Sequence, residues 1–149
     1  RTTFTRMLLV SLIMALAPSG AEAAIPAKDG KARMLDFRDA VEVNIRPECQ
    51  AELAPSVAAI RYAENGGKGR EYGILHPRVK PTYRSQAGWS CATVQKNYDR
   101  WRKAGSKGDF VSFLASRYAP VGVDNDPNRL NVHWYKNVQF YVAKFGGKL

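Results

Sequence analysis

Histidine and cysteine are both scarce, with two of each in 149 residues. No grouping of His, Cys, Asp and Glu has the spacing of a zinc site, so no metal and no cofactor are expected. Asp124-Asn125-Asp126 opens like a calcium loop, but no bidentate Glu follows at the needed spacing. An Asn/Asp turn with a helix cap is the better reading. Long apolar runs are also missing. Met7–Ala17 is too short to cross a bilayer and no later run competes with it, so the chain is not expected to be an integral membrane protein. Internal repeats and nucleic-acid motifs are absent. The 23 Lys and Arg outnumber the 13 Asp and Glu, but they are scattered rather than gathered into a block. No nucleic-acid partner is expected.

The apolar run has a different use. Arg1 and Arg6 make a basic start, Met7–Ala17 an apolar centre, Pro18 and Gly20 a break, and Ala21-Glu22-Ala23 an A-x-A cleavage site. Residues 1–23 thus read as a signal peptide, with export to a periplasm or beyond. The chain opens on Arg1 rather than Met, and the expectation is that its true start lies upstream. Removing residues 1–23, with Arg1, Arg6 and Glu22, lowers the formal charge from +10 to +9 and leaves 126 residues. That is enough for one core and one domain. A basic exported protein concentrates near anionic surfaces such as a cell wall. Two cysteines in an exported chain predict one disulfide, Cys49–Cys91, stabilising by roughly 3–4 kcal/mol in the chain-entropy model.

Residues 24–34 read as a flexible mature N-terminus, followed by one domain over 35–149. A short helix is expected over 36–45 and a second over about 48–65, kinked at Pro55. Residues 66–83, rich in glycine and proline, read as a loop holding a small irregular β element. Ser85 is expected to cap a helix to 104, with Ala87, Cys91, Val94, Tyr98 and Trp101 on its buried face. Asp109 caps the next helix, which buries Phe110, Phe113, Leu114 and Tyr118. Asp126-Pro127 supplies an N-cap and first-turn proline for a last helix to about Phe145, with Leu130, Trp134, Val138, Tyr141 and Phe145 inward. The fold class is mainly α, with that small irregular β region.

Glu64 is the first chemical candidate. It ends an apolar-faced helix just before the Asn65-Gly66-Gly67 stop and faces an extended segment, Tyr72-Gly73-Ile74-Leu75. A carboxyl so placed is either a solvated helix-end charge or a partly desolvated general acid. Glu71, the nearest carboxylate, reads as a solvated loop charge. Tyr72 and Tyr83 in the irregular segment are candidate sugar contacts, as are His76 and Gln86 beside them. Trp89, Trp101 and Trp134 recur at helical positions and read as core.

This order of elements resembles the lysozyme-like superfamily, which includes lysozymes and lytic transglycosylases. Ala63-Glu64-Asn65-Gly66-Gly67 looks like the Glu-Ser-Gly motif around the transglycosylase general acid. Tyr72-Gly73-Ile74-Leu75 sits where that family places a Gly-Leu-Met-Gln segment, although His76-Pro77 follows here in place of Met-Gln. Lys96-Asn97-Tyr98 and Trp134-Tyr135-Lys136-Asn137-Val138 are similar to its aromatic-bearing C-terminal helices. Phe113-Leu114-Ala115-Ser116-Arg117-Tyr118-Ala119-Pro120 and Asn125-Asp126-Pro127-Asn128-Arg129-Leu130-Asn131 also resemble a pattern in uncharacterised bacterial and phage proteins. The resemblance implies a lysozyme-like helical domain that cleaves peptidoglycan glycan strands, with Glu64 as general acid/base. Two alternatives stand beside it. Gln86-Ala87-Gly88-Trp89-Ser90-Cys91 faintly resembles a papain-like helix start, which suggests a cysteine peptidase using Cys91 and His133. The other is a non-catalytic cell-wall-binding protein with the same fold.

Overall fold

The computed structural model describes residues 41, 44–64 and 70–147. The expected leader over 1–23, the segment 24–34 and most of the helix expected over 36–45 lie outside the described residues. What is described is mainly helical: α1 (Ala54–Glu64), α2 (Tyr83–Lys103), α3 (Phe110–Tyr118) and α4 (Trp134–Lys144). Short 3-10 turns at Ala51–Leu53 and Leu130–His133 lead into α1 and α4. None of the described helices is long and apolar enough to cross a membrane.

α1 is the central element. Val57, Ala58, Ala59 and Ile60 are all fully buried, so the helix is covered nearly all round. Pro55 lies in its first turn, where a missing N–H costs nothing. The helix expected from about residue 48 with a kink at Pro55 instead starts at Ala54, with Ala51–Leu53 a separate 3-10 turn before it. Against α1 lies α4, whose Trp134, Val138 and Val142 recur every fourth residue and are all buried. Tyr62 on α1 meets Tyr141 and Phe145, with ring centroids 5.4 and 5.0 Å apart.

α2 buries Ala87, Cys91 and Val94 as its periodicity predicts, with Tyr98 and Trp101 packed at the core's edge. Its cap differs from expectation. Thr82, not Ser85, is the N-cap, and its hydroxyl accepts from Ser85 N at 3.2 Å. Ser85 Oγ is turned to accept from Lys80 N at 3.0 Å, which tightens the turn before the helix. Asp109 caps α3 as expected, accepting from Val111 N and Ser112 N. The Cys49–Cys91 disulfide is present, with Cα atoms 5.3 Å apart, and fastens the segment before α1 to the middle of α2.

Two expectations need correction. Asp126 does not cap a helix. Its carboxylate accepts from Gly122 N at 3.0 Å and Asn131 N at 3.2 Å, closing a turn on itself. Arg129 then takes φ +56°, so the chain turns before it coils and α4 starts only at Trp134. Leu130, expected inward, is accordingly 65% exposed. The β element expected over 66–83 is likewise not seen in the described part of that segment, residues 70–83, which holds no strand. Gln86 takes the place of a neighbouring strand. Its Oε1 accepts from Tyr72 N and Ile74 N at 3.3 and 3.2 Å, and its Nε2 donates to Ile74 O at 2.8 Å. Tyr118 Oη completes the set by donating to Tyr72 O at 2.8 Å. Side chains thus satisfy the polar backbone that a second strand would otherwise pair.

Candidate active site

Glu64 closes α1 with its side chain half-buried. Trp134, the first residue of α4, donates its indole Nε1–H to Glu64 Oε1 at 2.6 Å. A buried indole N–H needs an acceptor, and this one finds the carboxyl. The other carboxyl oxygen rests on Gly73: a Cβ added there would lie 2.2 Å from Glu64 Oε2. Gly73 also has φ +69°, a conformation that L side chains rarely adopt. Backbone on one side and indole on the other leave the carboxyl little room for water.

Its electrostatics follow. Burial pushes the Glu64 pKa up from the ordinary carboxylate value, and the Trp134 hydrogen bond, which favours the ionised form, opposes that only in part. The net shift is upward. Behind the indole, Tyr118 stacks on Trp134 with centroids 5.3 Å apart and planes at 23°. Burial holds the Tyr118 phenol protonated, so it stays a donor to Tyr72 O. Ser90 Oγ lies 3.0 Å from the same hydroxyl. Tyr118 therefore ties α3, α2 and the Gly73 segment to the indole that holds the acid.

The remaining candidates fall in different places. Tyr72 and Gln86 are sealed in the wall, at 0% and 1% exposure, so they build the site rather than present a surface to a sugar. Tyr72 Oη donates to Asn44 Oδ1 and lies 3.0 Å from Tyr83 Oη. Tyr83 is half-buried and accessible in part. His76 is exposed and stacks on Trp89 with centroids 5.1 Å apart. Trp89, read as core, is 37% exposed. It borders a surface cavity of about 490 Å³ with Arg84, Ser85 and Gly88. That cavity lies on the side of α2 turned away from Gln86 and Ser90, and hence from the acid. Glu71 is 4% exposed, not a solvated loop charge. Cys91 is fully buried and consumed in the disulfide, and no free thiol exists in the described residues. A cysteine peptidase using Cys91 and His133 therefore lacks its nucleophile. His133 itself sits exposed in the 3-10 turn before α4. Among the described residues no three His, Cys, Asp or Glu side chains gather as a metal site would need.

Sequence reasoning placed Trp134 in the core and missed its bond to Glu64. The usable signal was chemical: an inward Trp must satisfy its N–H somewhere. Comparison of the chain with protein-family models, curated proteins and solved structures gives no match.

Two substitutions test this geometry directly. Trp134→Phe keeps an aromatic ring against Tyr118 but removes the donor, so the Glu64 pKa should rise further. Titration of the Glu64 carboxyl carbon by NMR reads this, and a downward shift would mean that the indole acts chiefly by keeping water out. Gly73→Ala should destabilise by about 1–3 kcal/mol, from positive-φ strain and displacement of Glu64. Gly108→Ala is the control, because Gly108 has φ +71° with nothing within 4 Å of the added Cβ. It should show the backbone strain alone. Equal losses for the two variants in thermal unfolding would dismiss the Gly73–Glu64 contact.

Proposed function

We propose that the protein is an exported glycosidase that cleaves the β-1,4 bond between N-acetylmuramic acid and N-acetylglucosamine in peptidoglycan. The observation that carries this reading is the setting of Glu64: half-buried, bonded to one indole N–H and raised in pKa by burial. A carboxyl whose pKa is raised by burial is better suited to donate a proton to a glycosidic oxygen. Once ionised, it is held by Trp134 and can act as base toward the sugar's own 6-hydroxyl or toward water. The first route gives a 1,6-anhydro product and the second a reducing end. One carboxylate suffices for either, and no partner acid is invoked.

The wider features fit the same role. The leader read over residues 1–23 would deliver the chain to the wall, and a formal charge of +9 beyond it favours an anionic polymer. The disulfide suits an oxidising compartment.

Digestion of purified sacculi is the test. Release of muropeptides is the expected result, and mass spectrometry of their ends separates anhydro from reducing sugars. Binding to sacculi without release would replace this reading with a wall-binding role.

A further inference from the structure

α1 carries a second charged side chain one turn before the acid. Arg61 and Glu64 share a face of the helix, separated by about 4.5 Å of rise. Arg61 is 6% exposed, and its guanidinium lies over the Tyr83 ring, 5.2 Å from the centroid. Among the described residues it makes no ion pair and no hydrogen bond. Glu64 does not neutralise it, since the influences on that carboxyl are burial and the Trp134 bond.

A buried cation is costly unless it is paired. A lysine could shed its proton, but a guanidinium stays charged at any ordinary pH. Two features compensate in part. Arg61 lies in the last turn of α1, where the helix dipole favours a cation, and the Tyr83 π-face attracts it. Neither gives an acceptor to the N–H fork, whose shape matches the two oxygens of a carboxylate. The phenols of Tyr83, under the guanidinium, and Tyr72, within reach of its charge, bond each other and bring no negative charge.

We propose that Arg61 is the subsite for a carboxylate carried by the glycan substrate, and that it selects muramyl strands over neutral N-acetylglucosamine polymers. The identity of the ligand rests on the glycosidase reading above. N-acetylmuramic acid differs from N-acetylglucosamine by a lactyl ether that ends in a carboxyl, and its stem peptide adds further carboxylates. Either source offers the same chemistry. A carboxylate reaching the guanidinium beside the half-buried Tyr83 ring sets the sugar one helical turn from the acid. Arg61 thereby determines specificity and has no part in proton transfer.

Calorimetric titration of the full chain carrying Glu64→Gln measures binding without cleavage. Three ligands are compared: the N-acetylglucosamine–N-acetylmuramic acid disaccharide, the same disaccharide bearing a dipeptide, and chitobiose. At least one charged ligand should bind about tenfold to a hundredfold more tightly than chitobiose. Preference for the bare disaccharide identifies the lactyl carboxylate, and preference for the peptide-bearing one identifies the stem. Adding Arg61→Gln should erase the preference and Arg61→Lys should retain part of it. Equal affinity for charged and neutral ligands, or a preference that survives Arg61→Gln, overturns the subsite. Should Arg61→Gln fail to fold, the Arg61 Nε–H resonance of the Glu64→Gln chain still decides. It should move with a charged disaccharide and not with chitobiose, and no movement with either overturns the subsite. The two readings fail separately. Uncut sacculi with the preference intact sink the glycosidase alone, while equal cutting of sacculi and chitin sinks the Arg61 subsite alone.

Discussion

Glu64→Gln is expected to lower muropeptide release from sacculi by about 10²- to 10⁴-fold, the usual share of a positioned general acid/base, while leaving the fold intact. The amide is nearly isosteric, and its oxygen can still accept from the Trp134 indole, so the packing at the end of α1 survives. Only the transferable proton is lost. The wild-type pH profile follows from the direction of the shift. Glu64 must be protonated to act as acid, so activity should fall as pH rises through its raised pKa. Stability carries the same signature. A carboxyl whose folded pKa is raised favours the folded state fully below the unfolded value of about 4.3, and that contribution is lost as pH rises through the folded pKa. Glu64→Gln has no such loss. Above that pH the variant should be at least as stable as wild type, and a stability gain paired with lost activity would mark the carboxyl as functional rather than structural. Full activity in Glu64→Gln would remove Glu64 from the chemistry.

The second large effect concerns the disulfide. Cys49 and Cys91 are 42 residues apart, and closing a loop of that size is worth about 4 kcal/mol in the chain-entropy model. The double variant Cys49→Ala/Cys91→Ala should therefore melt on the order of 10–20 °C lower. Cys91 is fully buried, so the void left by its sulfur adds to the loss. The bond lies at the entry to α1, at the opposite end from Glu64, so the folded variant should keep its acid. A melting temperature within a degree or two of wild type would show that the bond constrains little. Cleavage lost below the melting transition would instead make the bond part of the site's rigidity.

How far the sequence was legible depended on how local each cause was. The apolar spacing of α2 and the Asp109 cap involve neighbours within a turn, and both read correctly. Ser85 and Thr82 show the limit of such signals. Both are good caps, and Lys80 N, a turn contact, took Ser85 away from the role. Asp126-Pro127 carries a strong helix-start signal, yet the Asp carboxylate is held by backbone N–H groups on either side of it and the chain turns instead. The β element was expected because Tyr72–Leu75 is extended and apolar. Its hydrogen-bond partners came from Gln86 and Tyr118, which no periodicity reveals. Glu64 was marked by its place before a glycine stop. Its desolvation was not, because the group that covers it is Trp134.

That separation has a consequence for how the protein is made. Glu64 and its indole partner lie 70 residues apart, and Tyr118 and the carbonyl it anchors lie 46 apart. Contacts of such span form late, after the intervening loops have closed. A growing chain acquires its glutamate long before the residues that change that glutamate's chemistry. Until α4 lies against α1, Glu64 lacks both its indole partner and the burial that raises its pKa. A chain cut short before Trp134 would carry the carboxyl in every copy and its indole partner in none. The raised pKa of Glu64 is thus a property of the finished molecule, withheld from each of its precursors by the order of the chain itself.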